Sequence, residues 1–108
     1  MSRKIDSYIT FSYLSKKIAF GDSMLPKLAR KTIYLVVLAS DIGETQKKRF
    51  LDKSSYYGVP VIFYENKDYL GNILHKSSIS ALGIENKNLA SAIIKTKEGD
   101  DYGEEKTK

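Results

Sequence analysis

The stretch TIYLVVLASD, residues 32–41, decides the fold because its centre is continuously apolar. Every residue from position 33 to 39 is aliphatic or aromatic, and a run of that length is typical of a strand buried on both faces. Such a strand needs helices on both sides of its sheet, so we expect an α/β architecture with this strand at its centre. Polar residues return at Ser40 and Asp41, and binding sites in open α/β sheets gather at such carboxyl ends of strands.

Helix and strand patterns alternate on both sides of this run. Residues 7–19 predict a helix with Phe11, Leu14 and Ile18 on one apolar face, although residues 17–20 could instead form a short strand. The remaining patterns are a helix after Ser23, a third helix closed by Gly58, a strand over 59–64, a brief helix near 65–74, a strand over 78–84, and a last helix capped by Asn86 or Asn88. Pro60 places its strand nearer the sheet edge than residues 32–39. The order predicts a three-layer α/β/α sandwich with a mixed sheet of about four strands.

Charge is distributed unevenly along the 108 residues. The last eleven hold five acids and two bases with little apolar content, which predicts a disordered acidic tail at 98–108 after a single domain at 1–97. The remaining body has 16 Lys and Arg against 8 Asp and Glu, a net charge of +8. A small basic body is the electrostatic footprint of a nucleic-acid binder, and a merely soluble basic domain is the alternative.

Several classes of protein lack support in this sequence. It has no cysteine, no apolar run near the ~18 residues of a membrane span, and no apolar core after the basic N-terminus, all of which agree with a cytoplasmic protein. Neither a GxGxxG nor a GxxxxGK[ST] motif is present. The single histidine and the scattered carboxylates suggest no catalytic constellation. We therefore expect no enzyme activity, no cofactor and no metal site.

Three places remain as candidates for binding. Gly21, Asp22 and Ser23 lead into the second helix, and a helix N-terminus presents free N–H groups to a phosphate or a base edge. Ser23 is the preferred N-cap because it puts Pro26 where no helical hydrogen bond is lost. The stretch LGNILHK, residues 70–76, predicts a Leu-Gly turn and a loop with apolar tips that could stack on unpaired bases. Asp41 is the third, with a turn or helix-capping aspartate as its alternative.

In this order around the central strand, the elements G-x-x-x-x-x-K, LVVLASD, YYGVPVIFY and LGNILHK resemble the kink-turn RNA-binding ribosomal proteins. Archaeal large-subunit protein seven and eukaryotic large-subunit protein thirty belong to this family, and the likeness is nearest to its bacterial YlxQ-type members. It covers about residues 8–95. The resemblance implies binding of structured RNA, such as ribosomal RNA, in or near the ribosome.

In that family, the N-terminus of the second helix and the loop after the Leu-Gly turn grip the RNA. Carried over by position, the family's glycine and lysine fall on Gly21 and Lys27, whereas its polar pair falls on Ser23 and Met24. Met24 cannot hydrogen-bond a base edge. The RNA-binding set implied in this way, together with its neighbours, is Gly21, Asp22, Ser23, Lys27, Lys31, Asp41, Leu70, Gly71, Ile73, Leu74, His75, Lys76 and Ser77. The alternative is a degenerate member that uses the fold as a protein-interaction module.

Overall fold

Helices and strands alternate along the whole described chain. The structure, a computed structural model, describes the backbone of residues 3–106 and the side chains of residues 4–99. The elements are α1 (Arg3–Leu14), β1 (Ile18–Phe20), a 3-10 turn (Gly21–Ser23), α2 (Met24–Ala29), β2 (Leu35–Leu38), α3 (Glu44–Tyr56), β3 (Val61–Phe63), α4 (Lys67–Ile73), β4 (Ala81–Ile84) and α5 (Lys87–Lys106). The predicted order of helices and strands is confirmed, and residues 18–20 are strand.

The four strands form one mixed sheet in the order β1-β4-β2-β3. β2 pairs in parallel with β3, whereas β4 lies antiparallel between β1 and β2. All four residues of β2 are buried, as the apolar run predicted, and β3 with its preceding Pro60 lies at an edge. β4 is also fully buried, which explains why its sequence lacks the alternation of a half-exposed strand.

Alternate residues of β2 build two separate cores. Leu35 and Val37 belong to a cluster that includes residues of α1, α4 and α5. Val36 and Leu38 belong to the opposite cluster, with residues of α2 and α3. Because successive side chains of a strand point to opposite faces, the sheet is covered on both sides. The predicted three-layer α/β/α sandwich is therefore confirmed.

The inward face of α1 differs from the predicted one. Ile5 and Ile9 are fully buried, whereas Phe11 is 64% and Leu14 71% exposed. Leu14 follows Ile5 by nine residues, which is about half a turn around the helix axis at ~100° per residue. The helix begins at Arg3 rather than near residue 7. Its first turns therefore include Ile5 and Ile9, and this aliphatic stripe is the one that packs against the core. The stripe predicted from Phe11 faces away from it.

The last helix continues through most of the predicted disordered tail. The backbone of α5 is helical as far as Lys106, and the disordered acidic tail at 98–108 stays a prediction. Once the first turns of a helix are held by packing, each further residue adds a hydrogen bond at little additional cost, even when it is polar. Residues 107 and 108, and the side chains from 100 onward, lie outside the described residues. That residues 1–97 form the stable domain remains a prediction.

Candidate nucleic-acid interface

Most of the predicted binding residues lie at one edge of the sheet. Phe20 ends β1 and pairs with Leu82, and Leu38 ends β2 and pairs with both Ala81 and Phe63. Three strands therefore end, and β4 begins, at the same edge, which we call the carboxyl edge. The 3-10 turn after β1 and the loop of residues 74–80 before β4 both lie there. The two binding segments that the sequence predicted, the turn at residues 21–23 and the loop after the Leu-Gly pair, are thus adjacent in the fold. We call these two segments the lips.

The turn after β1 presents its backbone rather than its side chains. Gly21 has a φ of +54°, and no atom lies within 4 Å of the position a Cβ would take. The Ser23 hydroxyl donates a hydrogen bond to the Phe20 carbonyl at 2.6 Å and accepts one from the Phe20 N–H at 3.3 Å. Ser23 is the N-cap residue of α2, as predicted, but its side chain makes no capping hydrogen bond to that helix.

The position that follows Ser23 is not at the surface. Met24 is fully buried, and a Cβ on Gly83 of β4 would lie 2.8 Å from its sulfur. In the resembled family a polar pair occupies positions 23 and 24. Here one member of that pair already donates its hydroxyl hydrogen to the backbone and the other fills the core, so neither side chain is free to donate a hydrogen bond to a base edge.

The predicted basic residues of α2 lie away from the carboxyl edge. The Lys27 Nζ is 2.9 Å from Glu85 Oε2, and Glu85 follows the end of β4 at the opposite edge of the sheet. Lys31 is exposed and precedes β2 at that same opposite edge. The structure therefore does not bring Lys27 and Lys31 together with Gly21. Helix α2 begins near the end of β1 at the carboxyl edge and leads to the start of β2 at the opposite edge. Its last residues therefore lie away from its own N-terminus.

Two carboxylates of the predicted set have partners within the fold. Asp22 forms an ion pair with Arg49 of α3, a solvent-exposed contact of the kind that contributes little to stability. Asp41 Oδ1 accepts a hydrogen bond from the Lys67 N–H at 2.9 Å. Lys67 is the first residue of α4, so Asp41 has the capping role that was the alternative to a binding role.

The predicted Leu-Gly turn is part of a helix. Leu70 and Gly71 are both buried within α4, and Leu74 is 3% exposed. A Cβ on Gly71 would lie 2.8 Å from the Lys76 carbonyl oxygen and 2.8 Å from the Ser78 Cα. Leu70, Gly71 and Leu74 therefore position the following loop rather than contact a ligand, and Gly71 lets the backbone of that loop approach the helix closely.

The exposed part of this loop begins at His75. His75, with a φ of +59°, and residues 76–78 are exposed, and Ile73 is half-buried. The Lys76 N–H donates to the Gly71 carbonyl at 2.8 Å. The Lys76 Nζ lies 5.3 Å from the centre of the Tyr13 ring and 5.1 Å from that of Phe20. Two aromatic faces attract the ammonium group without neutralising its charge.

A shallow cavity of about 290 Å³ joins the two lips, and Gly21 and Lys76 both line it. Sequence reasoning missed three of its neighbours. Phe20 forms one wall, and the Ser80 hydroxyl, which lines the cavity, donates to Gln46 Oε1 at 3.3 Å. Arg49 approaches the turn through Asp22. Only Arg49 belongs to a charged run, the basic residues 47–49, and such a run is more typical of a solvated helix face.

The largest pKa shift among the described residues belongs to Tyr69, which lies in a cluster with Asp6 and Tyr64. The Asp6 carboxylate accepts hydrogen bonds from the Tyr64 and Tyr69 hydroxyls at 2.7 and 2.5 Å, which ties α1 to β3 and α4. Burial, followed by the hydrogen bond to Asp6, raises the pKa of Tyr69 to about 12. These contacts hold helices together.

Among the described residues, no group of three or more His, Cys, Asp or Glu side chains could hold a metal ion, and no helix is long and apolar enough to cross a membrane.

The match to a known family covers the fold and both lips. A model described as the Ribosomal protein L7Ae/L30e/S12e/Gadd45 family matches residues 4–94. The chain belongs to this family. The matched range contains all four strands and the whole carboxyl edge of this L7Ae/L30e/S12e/Gadd45 protein, so the family resemblance predicted from the sequence is confirmed.

Two solved structures have the fold of this L7Ae/L30e/S12e/Gadd45 member. A protein of unknown function from Bacillus halodurans has a TM-score of 0.79 and 22% identity, over 87% of this chain and 95% of that one. The Giardia lamblia 15.5kD RNA binding protein has a TM-score of 0.74 and 18% identity, over 89% and 86% of the two chains. At such identities these likenesses establish the fold alone. No curated protein matches the chain by sequence.

Proposed function

We propose that this protein binds structured RNA, without catalysing a reaction, through the carboxyl edge of its sheet. The contact surface consists of the turn at residues 21–23 and the loop at residues 75–80. Membership of the L7Ae/L30e/S12e/Gadd45 family supports this proposal, as does the structural likeness to the Giardia lamblia 15.5kD RNA binding protein. The net charge of +8 over residues 1–97 supplies the long-range attraction for a polyanion.

The observation that carries the proposal is the environment of Lys76. Lys27 and Arg49 each have a carboxylate partner, whereas Lys76 forms no ion pair among the described side chains and is held over Tyr13 and Phe20. Its ammonium is therefore positioned and still charged, beside the open backbone of Gly21. A lysine in this state suits a phosphate, and the hydroxyls of Ser77 and Ser78 can donate to neighbouring phosphate oxygens.

The RNA we propose is a kink-turn-like element, such as those of ribosomal RNA, with shape and backbone as the main determinants of recognition. Positions 23 and 24 offer no free side-chain hydrogen-bond donor for the G·A pairs. Each good base contact is worth about 1–3 kcal/mol. Without two of them, preference for a kink-turn over a plain duplex falls by roughly 30-fold to 20,000-fold relative to a chain with both contacts.

The experiment is a salt titration of binding to a kink-turn RNA and to a duplex of matched length. Lys76→Ala should weaken binding to both RNAs and lower the slope of log K against log salt by about 1, the loss of one phosphate contact. Lys31→Ala removes an exposed lysine at the opposite edge and should leave the slope unchanged. Lys76→Arg should retain most of the affinity because it keeps the charge.

The outcomes separate RNA binding from the alternative function. If the wild-type protein binds neither RNA at low salt, RNA binding fails and a protein-interaction module takes its place. If Lys31→Ala lowers the slope and Lys76→Ala does not, the RNA lies on the opposite edge. If the wild type prefers the kink-turn by several-hundred-fold, residues other than those at 23 and 24 read it.

A further inference from the structure

Arg49 of α3 reaches the turn that follows β1. Its guanidinium donates from Nη2 to Asp22 Oδ1, and Asp22 is the middle residue of the turn at 21–23. The Arg49 Cζ also lies 5.7 Å from the centre of the Phe50 ring, and Phe50 is fully buried. The side chain of Arg49 is 42% exposed and that of Asp22 is 67% exposed. A carboxylate and a buried ring therefore hold the guanidinium at the carboxyl edge while it stays open to solvent.

The same face of α3 borders the other lip. Gln46 precedes Arg49 by three residues, so the two side chains lie on one face of the helix. The Ser80 hydroxyl donates to Gln46 Oε1 at 3.3 Å, and Ser80 lines the cavity between the lips together with Gly21. No atom lies within 4 Å of the Cβ position of Gly21. An RNA strand on the carboxyl edge would therefore lie against this face of α3.

The hydrogen-bond donors of Arg49 are mostly unused. A guanidinium carries five N–H donors in a planar fork and no acceptor. Asp22 is the one hydrogen-bond partner of this side chain among the described residues. Ser23 and Met24, in contrast, have no free donor. Arginine donating to both O6 and N7 of a guanine is the commonest specific contact between a protein and a base.

We propose that Arg49 reads the O6 and N7 edge of a guanine in the bound RNA, with Asp22 as its positioning residue. This inference rests on the proposed function, because the RNA must first lie on the carboxyl edge. The donor that reads a base then comes from α3 rather than from the start of α2. A single base contact leaves shape and backbone the main determinants of affinity.

The charge of Asp22 favours a base over a phosphate as the ligand of Arg49. A phosphate beside the guanidinium would also lie close to the Asp22 carboxylate, and the two anions would repel each other. The O6 and N7 atoms of guanine are neutral acceptors, so the carboxylate does not oppose them. Because the Asp22–Arg49 pair has no net charge, this contact adds discrimination between bases, whereas Lys76 and the basic body supply the attraction for the backbone.

The test measures how four proteins bind two RNAs. The RNAs are a kink-turn and the same kink-turn with 7-deazaguanine in its G·A pairs, which replaces the N7 acceptor with a C–H group. We expect the wild type to bind the first RNA about tenfold more tightly. Arg49→Met keeps a long side chain without donors and should bind both RNAs equally. Lys48→Met is the matched control, because it removes the same charge from the adjacent exposed residue of α3 and should keep the tenfold difference.

The fourth protein, Asp22→Asn, tests the positioning role. It should bind both RNAs more tightly because a negative charge leaves the edge. The difference between the two RNAs should narrow, since the carboxylate no longer holds the guanidinium. An ion pair with a purely structural role would leave that difference unchanged. Thermal unfolding should be unaffected in all three variants, because an exposed ion pair contributes little to stability.

Each result separates this inference from the function on which it rests. A wild type that binds neither RNA would remove the proposed function, and the inference with it. A wild type that binds both RNAs equally would overturn the guanine contact while leaving RNA binding intact. If Arg49→Met keeps the tenfold difference and lowers the slope of log K against log salt by about 1, Arg49 meets a phosphate and the inference is wrong. An unchanged difference in Asp22→Asn would refute the positioning role.

Discussion

Replacing Gly71 with alanine tests how the loop at 75–78 is positioned. An added Cβ would lie 2.8 Å from the Lys76 carbonyl oxygen and 3.0 Å from the Ser77 carbonyl carbon, whereas ordinary contacts are about 3.5–4.0 Å. Both neighbours are backbone atoms, so the loop itself must retreat. Overpacking of this kind costs about 1–3 kcal/mol. The hydrogen bond from the Lys76 N–H to the Gly71 carbonyl, 2.8 Å long, weakens as the loop moves.

The gain in helix propensity offsets part of this cost. Glycine to alanine within a helix is worth about 1 kcal/mol, so Gly71→Ala should lower the free energy of unfolding by about 1–2 kcal/mol. In thermal unfolding that is a fall in Tm of about 4–8 °C for each kcal/mol. RNA affinity should also fall because Lys76 moves with the loop.

Gly99→Ala is the matched control for Gly71→Ala. Gly99 is also helical, but nothing lies within 4 Å of its Cβ position, so this variant should be neutral or slightly stabilised. The Tm of Gly99→Ala should equal or slightly exceed that of the wild type. If the Tm of Gly71→Ala does so too, the close approach of the loop to α4 is refuted.

Three further predictions concern stability. Met24→Glu should prevent cooperative folding because it places a charge at a fully buried position, and a melt near that of the wild type would place this side chain at the surface. Ser54→Ala should stabilise by about 1 kcal/mol, because its buried hydroxyl has no hydrogen-bond partner among the described residues; a destabilised variant would contradict this. The pKa of Tyr69 is raised to about 12 in the folded state, whereas that of an unfolded tyrosine is about 10. Because the folded state holds this proton more tightly, the free energy of unfolding should fall as pH rises from about 10 to about 12. Tyr69→Phe should show a weaker alkaline dependence in unfolding titrations, and an unchanged one would mean that another group is responsible.

The fold was predictable because its strongest signal is local. The apolar run at 33–39 can be buried on both faces only between two helical layers. Leu35 and Val37 then face one layer, and Val36 and Leu38 face the other, as strand geometry alone requires. The orientation of α1 was not predictable in this way. Its sequence carries two apolar stripes, one through Ile5 and Ile9 and one through Phe11 and Leu14, and only packing against the sheet decides between them.

The site was predictable only where it depends on chain order. The turn at Gly21 and the loop at Lys76 meet because β1 ends where β4 begins, which the alternation of elements implies. Side-chain partners depend on contacts distant in the chain. Glu85, which holds Lys27 at the opposite edge, is 58 residues away in sequence, and Lys67, which donates its N–H to Asp41, is 26 residues away. No periodicity or motif in a single sequence reports such pairs.

The most direct test of RNA binding at the carboxyl edge is a titration of the isotope-labelled protein with a kink-turn RNA at low salt, followed by amide NMR. If RNA lies on this edge, the largest chemical-shift changes occur at residues 21–23 and 75–80, with little change at Lys27 and Lys31. Changes concentrated at Lys27 and Lys31, with residues 75–80 unaffected, would contradict it.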